Sequence, residues 1–386
     1  MGLVRRARLL AEVRRGLKES PVTSLLGPRQ CGKTTLAREA ARGQRAVFFD
    51  LESPRDLQRL ADPQAALEPL RGLVVIDEIQ RRPALYELLR VLADRRHSPA
   101  RFLLLGSADP AVIRRTSESL AGRVRFVGMG GFALDETGPG AVERLWWRGG
   151  FPLAYRAASD GRARRWTEDF VRTFLERDLP QLEVRVPAEQ LRRFWTMIAH
   201  AHGQAWNASE IGASMGLAHT TVRRYLDLMT GSFMVRRLQP WFVNARKRIV
   251  KSPKVYLRDS GILHALLDGP DRAALRAHPK LGASWEGFAL EQVLTRVGGR
   301  QAWYWATHAG AELDLYFPHG GRGYGFEFKA HSAPAATKSM RIAVEDLKLR
   351  RLWVLHPGDA AYSLGRGIEA LPLVRLGEAL ATMAGR

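Results

Sequence analysis

The sequence lacks the features of a secreted or membrane-spanning protein. It contains a single cysteine, Cys31, which excludes an intrachain disulfide framework and fits a reducing compartment. No apolar stretch approaches the ~18 residues that a membrane-spanning helix needs. The first twenty residues are arginine-rich and amphipathic, without the apolar core and cleavage site of a secretory signal. We therefore expect a cytoplasmic protein without a membrane partner.

Acidic residues and lysines are also scarce. The chain has 39 acidic and 60 basic residues, a formal net charge of +21, and only 9 of the basic residues are lysines. Such a charge favours association with polyanions, nucleic acid first, although an arginine excess also arises from a GC-rich genome. Where arginine is the default cation, a retained lysine is more often required chemically. Lys33 and Lys329 both fall inside motifs that carry chemistry.

The chain does contain a glycine-rich motif near its N-terminus. Residues 27–35 read GPRQCGKTT and match G-x-x-x-x-G-K-[ST]. An apolar run at 22–26 precedes the motif, and a stretch of helical composition at 35–41 follows it. A strand, a glycine loop and a helix in this order bind phosphates, because the loop N–H groups and the helix N-terminus supply partial positive charge. The motif predicts an ATP site, with a plain turn before a helix as the alternative.

The residues of this loop have separate expected roles. Lys33 would reach the β- and γ-phosphates, and the Thr34 hydroxyl would ligate Mg²⁺. Cys31 would be a small filler residue rather than a reactive nucleophile. The loop residues expected to bind nucleotide are Gly27, Arg29, Gln30, Gly32, Lys33, Thr34 and Thr35.

Four more residues complete the predicted nucleotide site. Residues 73–78, LVVIDE, have the pattern of a Walker B strand, in which Asp77 would hold Mg²⁺ and Glu78 would polarise the attacking water. Ser107 ends a later apolar run and would sense the γ-phosphate, or else cap a turn. Arg123 would be an arginine finger, in cis or across the subunit interface of a homo-oligomer. The alternative for Arg123 is an ordinary surface residue.

Apolar runs separated by helical stretches predict the fold of the first segment. The runs at 46–51, 73–78, 101–107 and 123–127 indicate a parallel sheet with helices on both faces. The linker at 138–140, Gly-Pro-Gly, marks the end of this α/β domain.

The middle of the chain predicts a helical region and then a winged helix. Residues 208–217 and 219–229 have a helix-turn-helix pattern, and 233–241 with 249–257 would form a wing closed by a basic turn at 244–248. The alternative to DNA contact is a platform that docks protein. The DNA-contacting positions would be Thr220, Thr221, Arg223 and Arg224.

The last segment predicts a cluster of acids beside a lysine. Glu286 lies on a helix. A hairpin with arms at 311–317 and 324–330 and a glycine-rich turn at 318–323 has Asp314 on its first arm and Glu327 and Lys329 on its second, where period-two alternation gives them one face. This is the layout of PD-(D/E)xK nucleases. Glu286, Asp314 and Glu327 would bind Mg²⁺, and Lys329 would orient or activate water. The alternative is a salt-bridged strand face.

The order of these motifs resembles the bacterial and archaeal AAA-family ATPases that carry a C-terminal domain of unknown function with a nuclease-like fold. The resemblance implies ATP binding at Lys33, Thr34, Asp77 and Glu78, and a restriction-endonuclease-like fold around the C-terminal carboxylates. Ala306 departs from the family pattern, which has an arginine there. The matching stretches are 27–35, 73–80, 120–123, 148–152, 174–180, 251–261 and 310–314.

Together these patterns predict three domains. Residues 1–136 would be a P-loop AAA-type ATPase domain, 137–279 a helical lid with a winged helix, and 280–386 a PD-(D/E)xK nuclease-like α/β domain. The predicted function is ATP hydrolysis coupled to action on DNA, with Mg²⁺-dependent cleavage at the third domain. The alternative is a regulatory or scaffold ATPase with an inert nuclease-like fold and a protein-binding winged helix.

Overall fold

The chain forms two compact units. The computed structural model describes residues 3–95, 100–107, 116–180, 186–242, 252–269, 271–298 and 301–384. The first unit contains Met1–Phe132, Phe151–Leu153 and Gly231–Met234. The second contains Ala133–Gly150, Ala154–Thr230 and Val235–Arg386. The predicted middle and last domains therefore lie almost entirely in one unit.

A five-stranded parallel sheet forms the centre of the first unit, which confirms the predicted α/β architecture. Its order is β2-β3-β4-β1-β5. The three inner strands are almost fully buried because helices cover both faces, and this explains their continuous apolar sequence. The strands are β1 Val22–Gly27, β2 Ala46–Asp50, β3 Gly72–Asp77, β4 Ala100–Ser107 and β5 Val124–Gly128.

Helices of the first unit pack against this sheet. α1 buries Leu9, Val13 and Leu17 on one stripe. The two short helices α3 and α4 begin at prolines, and the side chains of Ser53 and Asp62 cap them. The helices are α1 Ala7–Glu19, α2 Lys33–Ala40, α3 Pro54–Arg59, α4 Pro63–Leu67 and α5 Leu85–Ala93.

The next part of the chain is helical, as predicted. Its aromatic residues pack together: ring centroids are 5.3 Å apart for the stacked pair Trp166–Phe170 and 5.2 Å apart for the tilted pair Phe174–Trp195. A π-helical turn, Phe174–Asp178, continues α9. The helices are α6 Leu134–Thr137, α7 Val142–Arg148, α8 Pro152–Tyr155, α9 Asp160–Thr173 and α10 Ala188–His200.

The helix-turn-helix has the predicted form. Helix α11 spans Ala208–Met215 and helix α12 spans His219–Gly231. Gly216 takes φ 68° at the turn, and a Cβ on Gly212 would lie 2.6 Å from the carbonyl oxygen of Leu217. The tight turn therefore requires glycine at both positions.

The wing pairs as predicted and continues into the C-terminal sheet. Strands β6 Gln204–Ala205, β7 Val235–Pro240 and β8 Lys254–Leu257 form antiparallel pairs with β8 in the middle. Strand β9, Trp303–Ala306, then pairs in parallel with β7. The result is one nine-stranded sheet, in the order β13-β14-β12-β11-β10-β9-β7-β8-β6. The predicted basic turn at 244–248 lies outside the described residues.

The C-terminal hairpin forms as predicted but has a shorter turn. Strands β10 Glu312–His319 and β11 Arg322–Phe328 meet at Gly320 and Gly321, whose φ angles of 56° and 74° fit a two-residue hairpin turn. The remaining elements are α13 Ser260–Leu266, α14 Arg272–Ala277, α15 Leu281–Val297, α16 Lys338–Asp346, β12 Leu349–His356, β13 Tyr362–Gly365, β14 Ile368–Pro372 and α17 Leu376–Met383. None of the helices in the described ranges is long and apolar enough to cross a membrane.

Candidate nucleotide site and C-terminal carboxylate cluster

The phosphate loop joins the end of β1 to the start of α2. Its backbone takes positive φ at Gln30 (62°) and Gly32 (98°). A Cβ on Gly27 would lie 2.2 Å from the carbonyl oxygen of Met129. One glycine therefore allows an unusual backbone conformation and the other allows a close approach. The buried Cys31 Sγ lies 3.8 Å from the same Met129 oxygen, as a small filler does.

Lys33 and Thr34 lie at the start of α2, beside the end of β3. The buried Lys33 Nζ donates to the carbonyl oxygens of Gly27 (3.0 Å) and Pro28 (2.9 Å). Thr34 Oγ1 donates to Asp77 Oδ2 at 2.6 Å. Hydroxyl and carboxylate oxygens are the ligands that Mg²⁺ prefers. Burial raises the pKa of Asp77, and a cation beside it would favour its charged form. The predicted Thr34 and Asp77 therefore fit a magnesium ion that arrives with ATP.

Glu78 follows Asp77 in a left-handed backbone conformation, with φ 54°. Burial raises the pKa of its carboxyl group, and the charges of Lys33 and Arg29 only partly offset that effect. The Arg29 guanidinium lies 3.9 Å from Glu78 Oε2 and 3.1 Å from Glu52 Oε1. The expected base is therefore next to the loop and partly desolvated.

Gln80 connects Glu78 to the predicted sensor Ser107, and the predicted site residues do not include it. Its side-chain amide donates to Glu78 Oε2, and the same nitrogen lies 3.4 Å from Ser107 Oγ. The backbone turn after β3 brings position 80 to the end of β4. No pattern in the sequence indicates this return of the chain.

Arg6 is a second residue that the sequence analysis did not identify. It precedes α1 and is only 5% exposed. Its guanidinium donates to the carbonyl oxygens of Cys31 (3.3 Å), Gly130 (3.0 Å) and Gly131 (2.7 Å). Arg6 thus links the phosphate loop to the segment after β5. Among so many arginines, nothing in the sequence distinguishes it.

Arg123 lies at the opposite end of the sheet from the phosphate loop. The Val22 amide at the start of β1 donates to its carbonyl oxygen at 3.2 Å, whereas the loop follows the far end of β1. At ~3.3 Å per residue, β1 separates the two by roughly 16 Å. The guanidinium binds the Asp94 carboxylate, with Nη2 2.8 Å from Oδ2. The predicted finger role in cis is therefore wrong, and a role across a subunit interface stays a prediction.

The four predicted residues of the C-terminal cluster lie together. Leu315 pairs with Phe326 in the hairpin, so the neighbouring residues Asp314 and Glu327 lie opposite each other. A hydrogen bond joins their carboxyl groups. Lys329 Nζ donates to Glu327 Oε2 at 3.0 Å. Glu286 on α15 faces Asp314. The alternation that predicted one common face is thus observed.

A second lysine, Lys254 of β8, lies among these carboxylates. Its side chain is 6% exposed, and its Nζ lies 3.3 Å from Glu286 Oε1 and 3.7 Å from Asp314 Oδ1. It also forms an ion pair with Glu312. Its sequence position predicts only a wing strand, and the scarcity of lysine is the one signal in the sequence that points to it.

Burial dominates the electrostatics of the cluster. Burial and then Asp314 raise the pKa of Glu286 to about 7, and the same two causes hold the pKa of Glu327 well above its ordinary value. Burial alone would lower the pKa of Lys254, but Tyr256, Glu286 and the other carboxylates outweigh burial and raise that pKa well above its ordinary value. Lys254 therefore carries a permanent positive charge.

The cluster does not fit the predicted magnesium centre. Within the described part of the chain, no three acidic, histidine or cysteine side chains converge as a metal site needs. The expected ligands Glu286 and Asp314 face the Lys254 ammonium instead. Position 306 on strand β9 supplies no ligand either, since the side chain of Ala306 carries no oxygen or nitrogen.

Two stretches that carry the family resemblance meet in the second unit. Asp259 Oδ1 caps α13 at Ile262, while Asp259 Oδ2 accepts from the Gly150 amide at 2.7 Å. Gly149 has φ 77°, and a Cβ there would lie 2.1 Å from Asp259 Oδ1. These positions of 148–152 and 251–261 therefore have a structural explanation.

The predicted recognition helix α12 exposes its predicted polar face. Thr220, Arg223 and Arg224 are exposed and Thr221 is half-buried. The stripe Val222, Tyr225, Leu226 and Met229 is buried, as predicted. Within the described ranges neither arginine of this face forms an ion pair, so both are available to an anionic partner.

Three protein-family models match the chain. Residues 19–138 match a family described as an AAA domain. Residues 140–273 and 281–376 match two domains of unknown function, DUF8612 and DUF4143. The AAA match covers the sheet, the phosphate loop and the residues around it.

Solved structures that resemble this chain distantly include a Walker-type ATPase and a DNA replication initiation factor. The Walker-type ATPase PABY2304 of Pyrococcus abyssi is 16% identical, with 69% of this chain and 96% of that chain covered and a TM-score of 0.49. A DNA replication initiation factor is 14% identical, with 58% and 88% covered and a TM-score of 0.25. Likenesses this distant carry no argument about function.

Two mycobacterial proteins are much more similar in sequence. The uncharacterized proteins Rv2008c of Mycobacterium tuberculosis and Mb2031c of Mycobacterium bovis are each 49% identical over 370 residues, which cover 96% of this chain and 84% of theirs. This identity shows that the chain belongs to the same family as these two proteins. With its AAA domain, the chain is an AAA-family P-loop ATPase.

Proposed function

We propose that the protein hydrolyses ATP at its phosphate loop and uses the cycle to act on DNA. The observation that supports hydrolysis is the hydrogen bond between Thr34 and Asp77, 2.6 Å long, with Glu78 immediately beside it. A nucleotide-binding loop alone would need only Lys33 and the backbone amides. A carboxylate next to the metal-binding pair adds a group that can activate the water that attacks the bound nucleotide.

Each residue of the site has a defined role in this proposal. Lys33 leaves the loop carbonyls and binds the β- and γ-phosphates, while Thr34 and Asp77 hold Mg²⁺. An ion held by Thr34 and Asp77 would supply positive charge beside the phosphates. Glu78 accepts a hydrogen bond from the attacking water, and its raised pKa brings it closer to the working pH. Gln80 fixes the orientation of Glu78.

The test of hydrolysis is Glu78→Gln, which keeps the shape of the side chain and removes its charge. We expect ATP binding to persist while phosphate release falls by about 10²-fold or more, the usual contribution of a general base. Fluorescent-ATP binding and a phosphate-release assay separate the two steps. Glu87→Gln, an exposed carboxylate on α5, is the matched control. Turnover that survives in Glu78→Gln would refute the role of Glu78.

The DNA part of the proposal is supported by the recognition helix. Arg223 and Arg224 are exposed on α12, and a second helix of a helix-turn-helix is the element that enters the major groove. Binding to duplex DNA should weaken steeply as salt rises, since phosphate contacts release counterions. Absence of binding at low salt would favour the alternative, a regulatory ATPase whose winged helix docks a protein.

A further inference from the structure

The C-terminal cluster contains a buried cation of its own. Lys254 Nζ is surrounded by Glu286, Asp314 and Glu312, which come from α15 and β10. We propose that Lys254 occupies the place of a divalent cation in a nuclease-like site, so that the cluster ties the wing to the C-terminal strands and binds no Mg²⁺. The proposal does not depend on ATP hydrolysis.

The backbone holds Lys254 in this position. It lies on β8, the middle strand of the wing, opposite Leu238 on β7 and opposite Ala205 on β6. The ring of Tyr304 lies against its ammonium group, with 5.6 Å from Nζ to the ring centroid. A swing of the side chain out of the cluster would abandon three ion pairs and expose the buried carboxylates, so the ammonium is part of the fold.

The charges of the cluster balance without a metal. Lys254 faces Glu286, Glu312 and Asp314, and Lys329 binds Glu327 at 3.0 Å. The hydrogen bond between the carboxyl groups of Asp314 and Glu327 requires one proton. Three positive charges thus meet four carboxylates, and the remaining one, Glu312, has a side chain 44% exposed to solvent. Little negative charge is left to attract a divalent ion.

The geometry also opposes Mg²⁺. Magnesium requires near-octahedral oxygen ligands at about 2.0–2.1 Å. An ion bound by Glu286 and Asp314 would lie close to the ammonium that is 3.3 Å from one carboxylate and 3.7 Å from the other. Repulsion between the two cations in this buried site would displace the magnesium ion. The lysine is covalently attached and cannot leave.

Manganese binding to the full-length protein tests the proposal. Mn²⁺ alone is titrated, with free ion measured by electron paramagnetic resonance, in an Asp77→Asn background that removes the nucleotide-site metal. We expect Asp314→Asn to leave Mn²⁺ binding unchanged while Lys254 is present. Lys254→Gln should create one new site per chain, with affinity raised at least about tenfold, and Asp314→Asn should abolish it. Lys338→Gln, at an exposed lysine of α16, is the control and should change nothing.

Two results would overturn the proposal. One is a Mn²⁺ site in the Lys254-containing protein that disappears with Asp314→Asn. The other is a folded Lys254→Gln protein, judged by circular dichroism, that gains no site. The comparison of Mn²⁺ binding with and without Asp314→Asn uses only proteins that contain Lys254, so the proposal is tested even if Lys254→Gln fails to fold. Plasmid cleavage in Mg²⁺ that is lost in Asp314→Asn would likewise contradict it.

Discussion

Single residues decide which chemistry each site of this protein supports. Residues 27–35 and 73–78 predicted that Thr34 and Asp77 lie together, because both motifs lie at the ends of strands in one parallel sheet. Their role in nucleotide binding stays a proposal. Arg6, Gln80 and Lys254 were not predicted. Each acts through a contact with residues distant along the chain, and an isolated arginine, glutamine or lysine carries no pattern that reveals such a contact.

The titration of Glu286 leads to a prediction at this scale. Burial and Asp314 raise its pKa from the ordinary 4.5 to about 7. Between these values the folded chain holds a proton that the unfolded chain has released, so stability from this group is present at low pH and is lost as pH rises through about 7. The maximum loss is roughly 3 kcal/mol. The groups facing Glu286 are Lys254, Tyr256, Glu312, Asp314 and Lys329.

Thermal unfolding from pH 5 to pH 8 measures this effect. The Glu286→Gln variant cannot ionise at that position, so its Tm should fall less between pH 5 and pH 8 than that of the unaltered protein. Glu345→Gln, an exposed carboxylate on α16, should follow the unaltered protein. Parallel pH curves for Glu286→Gln and the unaltered protein would show that the group titrates at the same pH in both the folded and unfolded chain.

At the scale of helices and strands, periodicity and turn residues predicted the structure well. The apolar runs became the inner strands of the parallel sheet, and the alternating residues of β10 and β11 brought Asp314 opposite Glu327. Element lengths were less accurate. The hairpin strands run further than predicted because Gly320 and Gly321 make the turn alone, which a glycine-rich stretch of six residues does not specify.

The turn between α11 and α12 leads to a prediction about backbone packing. Because a Cβ on Gly212 would lie 2.6 Å from the Leu217 carbonyl oxygen, Gly212→Ala should destabilise the second unit by about 1–3 kcal/mol. Gly282→Ala, at an exposed helical position with no atom within 4 Å, should be neutral or stabilise by up to about 1 kcal/mol. Urea unfolding followed by tryptophan fluorescence compares them. Equal midpoints for the two variants would contradict this account of the turn.

At the scale of the whole molecule, the sequence predicted three domains and the chain forms two units. The difference arises from the pairing of β7 with β9, strands separated by about sixty residues, since Gln239 lies opposite Trp303. Strand pairing at that distance leaves no signal in local composition. The net charge of +21 follows directly from the composition, and the polyanionic partner that it favours stays a prediction.

The charge of the molecule makes a matched control necessary for any DNA experiment. Arg223→Gln with Arg224→Gln should weaken duplex binding and reduce the slope of log affinity against log salt by about 2, close to one per lost phosphate contact. Arg341→Gln with Arg350→Gln removes the same charge from exposed positions elsewhere and should leave the slope nearly unchanged. Equal effects of the two double variants would mean that only the overall charge of the protein attracts DNA.

The nine-stranded sheet has a practical consequence for anyone who divides this protein. A cut between residues 279 and 280 follows the apparent domain boundary, but it separates β7 from β9 and removes Lys254 from its acidic partners. Each fragment would present a bare strand edge, which is a template for aggregation. A cut near residue 132 keeps the nine-stranded sheet whole, although it also removes Phe151–Leu153 and Gly231–Met234 from the rest of the first unit.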